Sequence, residues 1–237
     1  MYDVYGDLVI VSQENYSQYT AEEKVFLLTK FILLGYKKIF TRSRYQNDYR
    51  VLDLTWISPY PRPDYATTFL TKEGEYFFYG DLTQAYYTPR YHYERVCIKE
   101  RLLRCHSKDV LVIGSGISPY SIYLSDHFKV SEVQPNQMGR KFGLINLRLN
   151  KKEVTQWQPY YHGEQSSIIV SMIPTIDWEF HKGYNFKELC IFYALLDVNQ
   201  VSSFKSLIQS HYGATAIEKK VRDYSKTLNV YRFELER

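Results

Sequence analysis

A chain of 237 residues with formal charge +4 and a pI of about 8.7 has room for one large α/β domain, or a moderate one with a small partner. That mild basicity is compatible with nucleic acid without requiring it. Three scattered cysteines (Cys97, Cys105, Cys190) argue against a disulfide framework and lack metal-ligand spacing, and no apolar run approaches the ~18 residues of a membrane span. The expectation is a soluble, cytoplasmic, monomeric chain without a zinc site.

Asp7 to Ser12 reads as a strand. Thr20 with Glu23 three residues on is a capping box, opening a helix through Val25, Phe26, Leu28, Phe31 and Ile32 that stops at Gly35. Lys38 to Arg42 and Tyr49 to Trp56 are strand-like, and Pro59, Pro61 and Pro63 make a loop. Thr67 to Thr71 and Glu75 to Gly80 read as a hairpin turning at Lys72-Glu73-Gly74. Residues 1–82 are thus expected to form a small α+β domain without βαβ order. Tyrosine is abundant, 24 in all and dense from Tyr45 to Tyr93. It serves either base stacking or, in place of Phe and Leu, the packing of strands.

Residues 83–106 read as a linker with a connecting helix from about Tyr91 to Cys105, carrying Arg90, Arg95, Arg101 and Arg104. Ordinary i,i+4 pairing, Glu100 with Arg104 for example, accounts for such charges equally well. Residues 107–237 are the expected α/β domain. Val110 to Ile113 is a β-branched strand, Gly114-Ser115-Gly116 a tight turn, and Pro119 a suitable first helical residue. A second strand follows, Lys129 to Val133, with Glu132 near its end. Strand, glycine turn, helix, strand and acid make the nucleotide half of a doubly wound domain. Its glycines admit a ligand close to the backbone, and its acid accepts from ribose hydroxyls. Ser166 to Ile173 and Leu189 to Leu196 are further central strands. Asp197 with Gln200 caps the next helix, which closes at Gly213. Ala216 to Tyr224 and Leu228 to Glu236 form a terminal hairpin, an ending typical of class I S-adenosylmethionine-dependent methyltransferases rather than of dehydrogenases.

Several segments, in order, resemble the tRNA guanine-37 N1-methyltransferases and their wyosine-pathway relatives, which include aminocarboxypropyl transferases. They are YGDLVIV, the Arg of DYRV, TKEG, DLTQAYYTPRYHYERV and VLVIGSGISPYSI, then EVQP with INLRLN, IIVSMIPTIDWEF and VRDYS. Together they span nearly the whole chain, in a short form without the extra N-terminal domain many members carry. The resemblance implies a class I (Rossmann-like) methyltransferase domain preceded by a small α+β domain, with S-adenosylmethionine as cofactor and the tRNA anticodon loop as partner. It makes Glu94 the general base for the guanine N1 proton, the other reading being an exposed helix Glu paired with Arg90 or Arg95. Arg50 supports the guanine or a nearby phosphate. Tyr86 and Arg90 stand beside the cofactor, whose pocket takes in Gly114, Ser115, Gly116, Ser118, Glu132, Val133, Met172 and Pro174.

Arg42, Arg44, Arg50, Arg62 and the Arg90 to Arg104 helix are the expected phosphate contacts. Three positions depart from the family pattern: Val112 replaces an acid, Ser118 a glycine, and Met172 the Asn of an Asn-Leu-Pro motif. Between Gln156 and Glu164 only Gln158, His162 and Glu164 stand where an acid beside the adenine is usual. The implied function is tRNA methylation at guanosine 37 or its wyosine derivative. The alternatives are aminocarboxypropyl transfer and a non-catalytic tRNA-binding role.

Overall fold

The computed structural model describes residues 2–46, 51–175, 177–223 and 228–237, with no side-chain description for 44–46. Contacts divide the chain into two compact units. The first comprises Met1–Arg95, Gly116–Pro119 and Asn136–Lys152. It opens with β1 (Tyr2–Tyr5) and β2 (Leu8–Ser12), an antiparallel pair, then α1 (Gln13–Gln18) and α2 (Ala21–Leu33). β3 (Lys38–Gln46) and β4 (Val51–Trp56) complete a sheet ordered β1-β2-β3-β4. β2 and β3 pair in parallel, Leu8 opposite Lys38 through Ser12 opposite Arg42. The unit therefore does contain a βαβ crossover, contrary to expectation: parallel strands cannot be joined by a tight turn, and the two helices carry the chain back.

The capping box at Thr20 forms in both directions, with Glu23 N to Thr20 Oγ1 at 3.2 Å and Thr20 N to Glu23 Oε2 at 2.7 Å. The expected apolar stripe is only partly right. Phe31, with Leu27, Leu28 and Ile32, packs on Val9, Val11 and Ile39, whereas Val25 and Phe26 are exposed. At 3.6 residues per turn the latter two lie roughly 120° or more around the helix from Phe31.

β5 (Thr68–Glu73) and β6 (Tyr76–Asp81) form the hairpin, but Glu73 pairs with Tyr76. The turn is therefore Gly74-Glu75, and Glu73 is a buried strand residue rather than a turn residue. A short 3-10 turn, Pro89–Tyr91, leads into α3 (His92–Leu102). Tyr5, Tyr76, Tyr87 and Tyr91 are buried and take the place of Phe and Leu, whereas Tyr60, Tyr65 and Tyr93 are exposed.

The second unit comprises Val96–Ser115, Tyr120–Pro135 and Glu153–Arg237. Along the chain come β7 (Asp109–Ile113), α4 (Pro119–Leu124), β8 (Lys129–Val133) and α5 (Gln137–Leu149), the last belonging by its contacts to the first unit. β9 (Gln156–Gln158), β10 (Ser166–Thr175), α6 (Trp178–His181), β11 (Phe186–Leu196), α7 (Val201–Tyr212), β12 (Thr215–Asp223) and β13 (Asn229–Glu236) follow. The sheet runs β12-β13-β11-β10-β7-β8-β9. Its strands β7 to β11 are mutually parallel, and β13 runs antiparallel between β11 and β12. This is the class I methyltransferase fold, with its reversed terminal hairpin.

Alternation along the strands splits the core. Leu111, Ile113, Ile169, Phe192 and Phe233 pack beneath Phe204 and Ile208 of α7, while Val110, Val112, Val170 and Ile191 pack with Tyr120 and Leu124 of α4.

α5 is held to the hairpin by two asparagines. Asn146 Oδ1 accepts from Tyr79 N (2.7 Å) and its Nδ2 donates to Tyr79 O (2.9 Å) and Ile117 O (3.1 Å). One helical turn on, Asn150 makes the same pair with Phe77 N (2.8 Å) and O (2.7 Å). Four helical residues rise about 6 Å and two strand residues about 6.6 Å. An i,i+4 pair of side-chain amides therefore matches the free edge of β6 and satisfies it as a further strand would.

Candidate active site

At the carboxyl edge of the second unit, β7 ends at Ile113 and the chain turns through Gly114, whose N–H donates to Val133 O at 2.8 Å. Gly114 has φ of +73° and faces the Ile173 side chain so closely that a Cβ there would overlap it. Ser115 follows, buried, its Oγ without a hydrogen-bond partner among the described residues. Glu132 is 3% exposed and lies in the ladder between Val112 and Trp157.

Beside these residues a cavity of about 400 Å³ is lined by Ile113, Val133, Pro135, Tyr160, Phe180 and Tyr184 among others, a volume in the range of small-molecule sites. Tyr184 donates from its hydroxyl to Ser171 Oγ at 2.6 Å, and burial pushes its pKa well above that of a free tyrosine, so it stays a donor. His181, fully buried against Phe180, Tyr184 and Phe192, is lowered by burial to a pKa of about 4 and is neutral at pH 7. Of the residues expected around the cofactor, Val133 lines this cavity. Tyr160, Phe180 and Tyr184 escaped sequence reasoning. Their only signal is an aromatic residue in the connections that follow β9 and β10.

The pairing of β10 with β11 shifts between Ser171 and Thr175, so Met172-Ile173-Pro174 leaves the regular ladder. Ile173 faces the cavity; Met172 packs on the opposite cluster, the one that holds Val112. Two of the three departures from the family pattern therefore lie in one apolar cluster. Pro174 is buried. Glu164, considered for a place beside the adenine, instead accepts from His162 N in its own loop (2.9 Å). Burial raises the carboxyl pKa, but that hydrogen bond together with those from its own N–H and Gln158 and the nearby His162 lowers it overall. Among the described residues no cluster of His, Cys, Asp and Glu could hold a metal ion.

In the first unit, Gly116 has φ of +61°, and a Cβ there would sit 2.7 Å from the Tyr86 carbonyl, which brings these two expected cofactor residues together. Ser118 is buried at φ of +67°, a left-handed conformation that strains a residue with a Cβ, and its hydroxyl fills the space beside Gly143. Arg90 donates from Nε to Asp3 Oδ1 at 2.5 Å, and Arg42 Nη2 lies 3.6 Å from the other oxygen.

Glu94, in the first turn of α3, is 6% exposed, so the reading of it as an exposed helix Glu fails. Its neighbour Arg95 is fully buried on Glu73, with Nε to Oε1 at 2.7 Å and Nη2 to Oε2. This corrects the expected basic face. Arg95 is out of reach of any phosphate, and Arg101 is held by Glu234 (3.1 Å) and Glu236 (2.9 Å). Arg62 and Arg104 are exposed. The side chain of Arg44 and the whole of Arg50 lie outside the described residues.

No family model matches the chain. In sequence it is 28% identical over 154 residues to the tRNA (guanine(37)-N(1))-methyltransferase Trm5b of Methanocaldococcus jannaschii, covering 64% of this chain and 44% of that protein. It is 27% identical over 156 residues to the tRNA (guanine(37)-N(1))/4-demethylwyosine(37)-methyltransferase Taw22 of Nanoarchaeum equitans, covering 65% and 49%. The chain is similar in sequence to guanine-37 tRNA methyltransferases. It spans about half the length of the curated relatives it matches. In structure it aligns over its full length with 71% of aTrm5, solved in complex with tRNALeu, at a TM-score of 0.81 and 21% identity, which establishes a shared fold.

Proposed function

We propose that this chain is an S-adenosylmethionine-dependent methyltransferase acting on guanosine 37 of the tRNA anticodon loop or its wyosine derivative. The observation that carries the reading is the aromatic-walled cavity at Ile113 and Val133, where β7 and β8 end at the carboxyl edge of a class I sheet. One expected residue fits the cofactor: Ser115 Oγ is buried with an open hydrogen-bonding capacity. Glu132 accepts from the ribose hydroxyls, while Tyr160, Phe180 and Tyr184 enclose the purine. Gly114 and Ser115 would turn around the methionine end. When bound, the cofactor supplies an electrophilic methyl carbon.

Glu94, shielded from water, would hold the proton of guanine N1, and Arg50 would support the base or its phosphate. To be reached, the target base leaves the anticodon-loop stack. Among the described residues no helix is long and apolar enough to cross a membrane, and we place the protein, as a monomer, in the cytoplasm with its tRNA.

A second reading, transfer of the cofactor's aminocarboxypropyl arm to a wyosine precursor, rests on Met172 standing in place of the motif's Asn. Calorimetric titration with S-adenosylmethionine, repeated on Glu132→Ala, tests the cofactor site. Micromolar binding that the variant loses supports it, and no binding by the unaltered chain favours a non-catalytic tRNA-binding role. The mass added to the tRNA nucleoside then separates a methyl from an aminocarboxypropyl product.

A further inference from the structure

The buried pair beside Glu94 has a role of its own. Arg95 is 1% exposed, and a guanidinium so far from water persists only with a partner that neutralises it and accepts its N–H groups. Glu73, the last residue of β5, meets both needs through a two-pronged contact. The same carboxylate accepts from Tyr87 Oη at 2.8 Å and has His92 Nδ1 at 3.5 Å, and the Thr88 carbonyl accepts from Arg95 Nη2 at 3.0 Å. One side chain thus ties together the β5 end, the 87–88 segment and the first turn of α3. Glu94 stands on that turn, between two residues, His92 and Arg95, that the clamp holds.

We infer that Glu73 is a positioning residue: it sets the rotation of the first turn of α3 and so the aim of the Glu94 carboxylate. The inference rests on the reading of Glu94 as the general base. A side chain that only positions a base affects the chemical step. Displacing a reacting group by about 1 Å costs on the order of 10²-fold in rate. A residue that binds substrate or cofactor would instead alter KM or affinity.

The test compares steady-state tRNA methylation by the unaltered chain, Glu73→Gln and Glu94→Gln, with melting curves and S-adenosylmethionine titrations alongside. For Glu73→Gln we expect kcat lower by about 10²-fold, with KM for tRNA and cofactor affinity within about twofold. Should Glu73→Gln fail to fold, the double variant Glu73→Leu/Arg95→Met removes both charges without stranding either. It is expected to fold and to show the same loss of kcat. Rates within twofold of the unaltered chain in a folded variant, with Glu94→Gln inactive, overturn the positioning role and leave the base intact. A raised KM at unchanged kcat overturns it in favour of a binding role. Full activity in Glu94→Gln removes the base reading, and the positioning role with it.

Discussion

Replacing Asn146 by alanine is expected to destabilise the protein by about 3–5 kcal/mol, several times the effect of the same change at Asn150. Asn146 is fully buried and makes three hydrogen bonds, at 2.7, 2.9 and 3.1 Å, to Tyr79 N, Tyr79 O and Ile117 O. Alanine strands one backbone donor and two acceptors, those of Tyr79 partly buried and that of Ile117 buried. Each stranded group costs roughly 1–3 kcal/mol, and partial relaxation keeps the total below the simple sum. Asn150 makes an equivalent pair with Phe77, but at the exposed end of α5, where water replaces the lost amide and about 1 kcal/mol is at stake. Asn146→Asp keeps the acceptor for Tyr79 N–H but turns a second oxygen toward two carbonyls, so it should be no better than alanine. Urea unfolding followed by circular dichroism at constant m-value measures all three, and amide exchange at Tyr79 reports the local loss. Equal costs at positions 146 and 150, or an Asn146→Ala cost under about 1 kcal/mol, would refute the account of α5 as a surrogate strand for β6.

Two further perturbations follow from the packing. Gly143→Ala would help an unhindered helix, yet here the added methyl meets Ser118 Oγ. We expect it to cost about 1–3 kcal/mol, and Ser118→Gly, which also relieves the left-handed backbone, to recover most of that in the double variant. A double-mutant cycle showing simple additivity would count against it. His181 has a folded pKa of about 4, below the ordinary 6.5, because burial opposes its charge. Between those values the unfolded chain binds the proton that the folded chain refuses, so stability falls as pH drops from about 6.5 to about 4, by up to roughly 3 kcal/mol. His181→Phe, filling the same aromatic nest, should flatten that interval relative to the unaltered chain; parallel stability–pH curves would sink the assignment.

The parts of the fold legible in the sequence are those set by neighbours along the chain. Thr20 with Glu23 and Asp197 with Gln200 both form the expected capping boxes, because a cap needs only a side chain three residues from a backbone N–H. β7, β8 and β10 are rich in β-branched residues and stand where expected, while β11, an apolar run, begins three residues earlier at Phe186. What distant partners decide was not legible. The parallel pairing of β2 with β3 depends on where α1 and α2 return the chain. The hairpin turn fell at Gly74-Glu75 because the register that buries Glu73 against Arg95 prevailed over local turn preference. Tyr160, Phe180 and Tyr184 gather around the cavity from connections that carry no periodicity to read.

The electrostatics of the 90–104 segment show the same limit at its sharpest. As a string, Arg90, Arg95, Arg101 and Arg104 make a basic helix suited to a phosphate backbone. In the fold, Arg90 donates to Asp3, 87 positions away, Arg95 to Glu73, 22 away, and Arg101 to Glu234, 133 away. Each of these acids comes from a strand, placed by sheet pairing that no local pattern announces. A cation already committed to a buried or half-buried carboxylate releases little on meeting a phosphate, since the counterion gain comes from charges that are solvated beforehand. The role of this segment is therefore largely internal: it holds α3, and Glu94 with it, against the sheets of its own units. Of the arginines expected to contact phosphate, Arg62 and Arg104 are exposed.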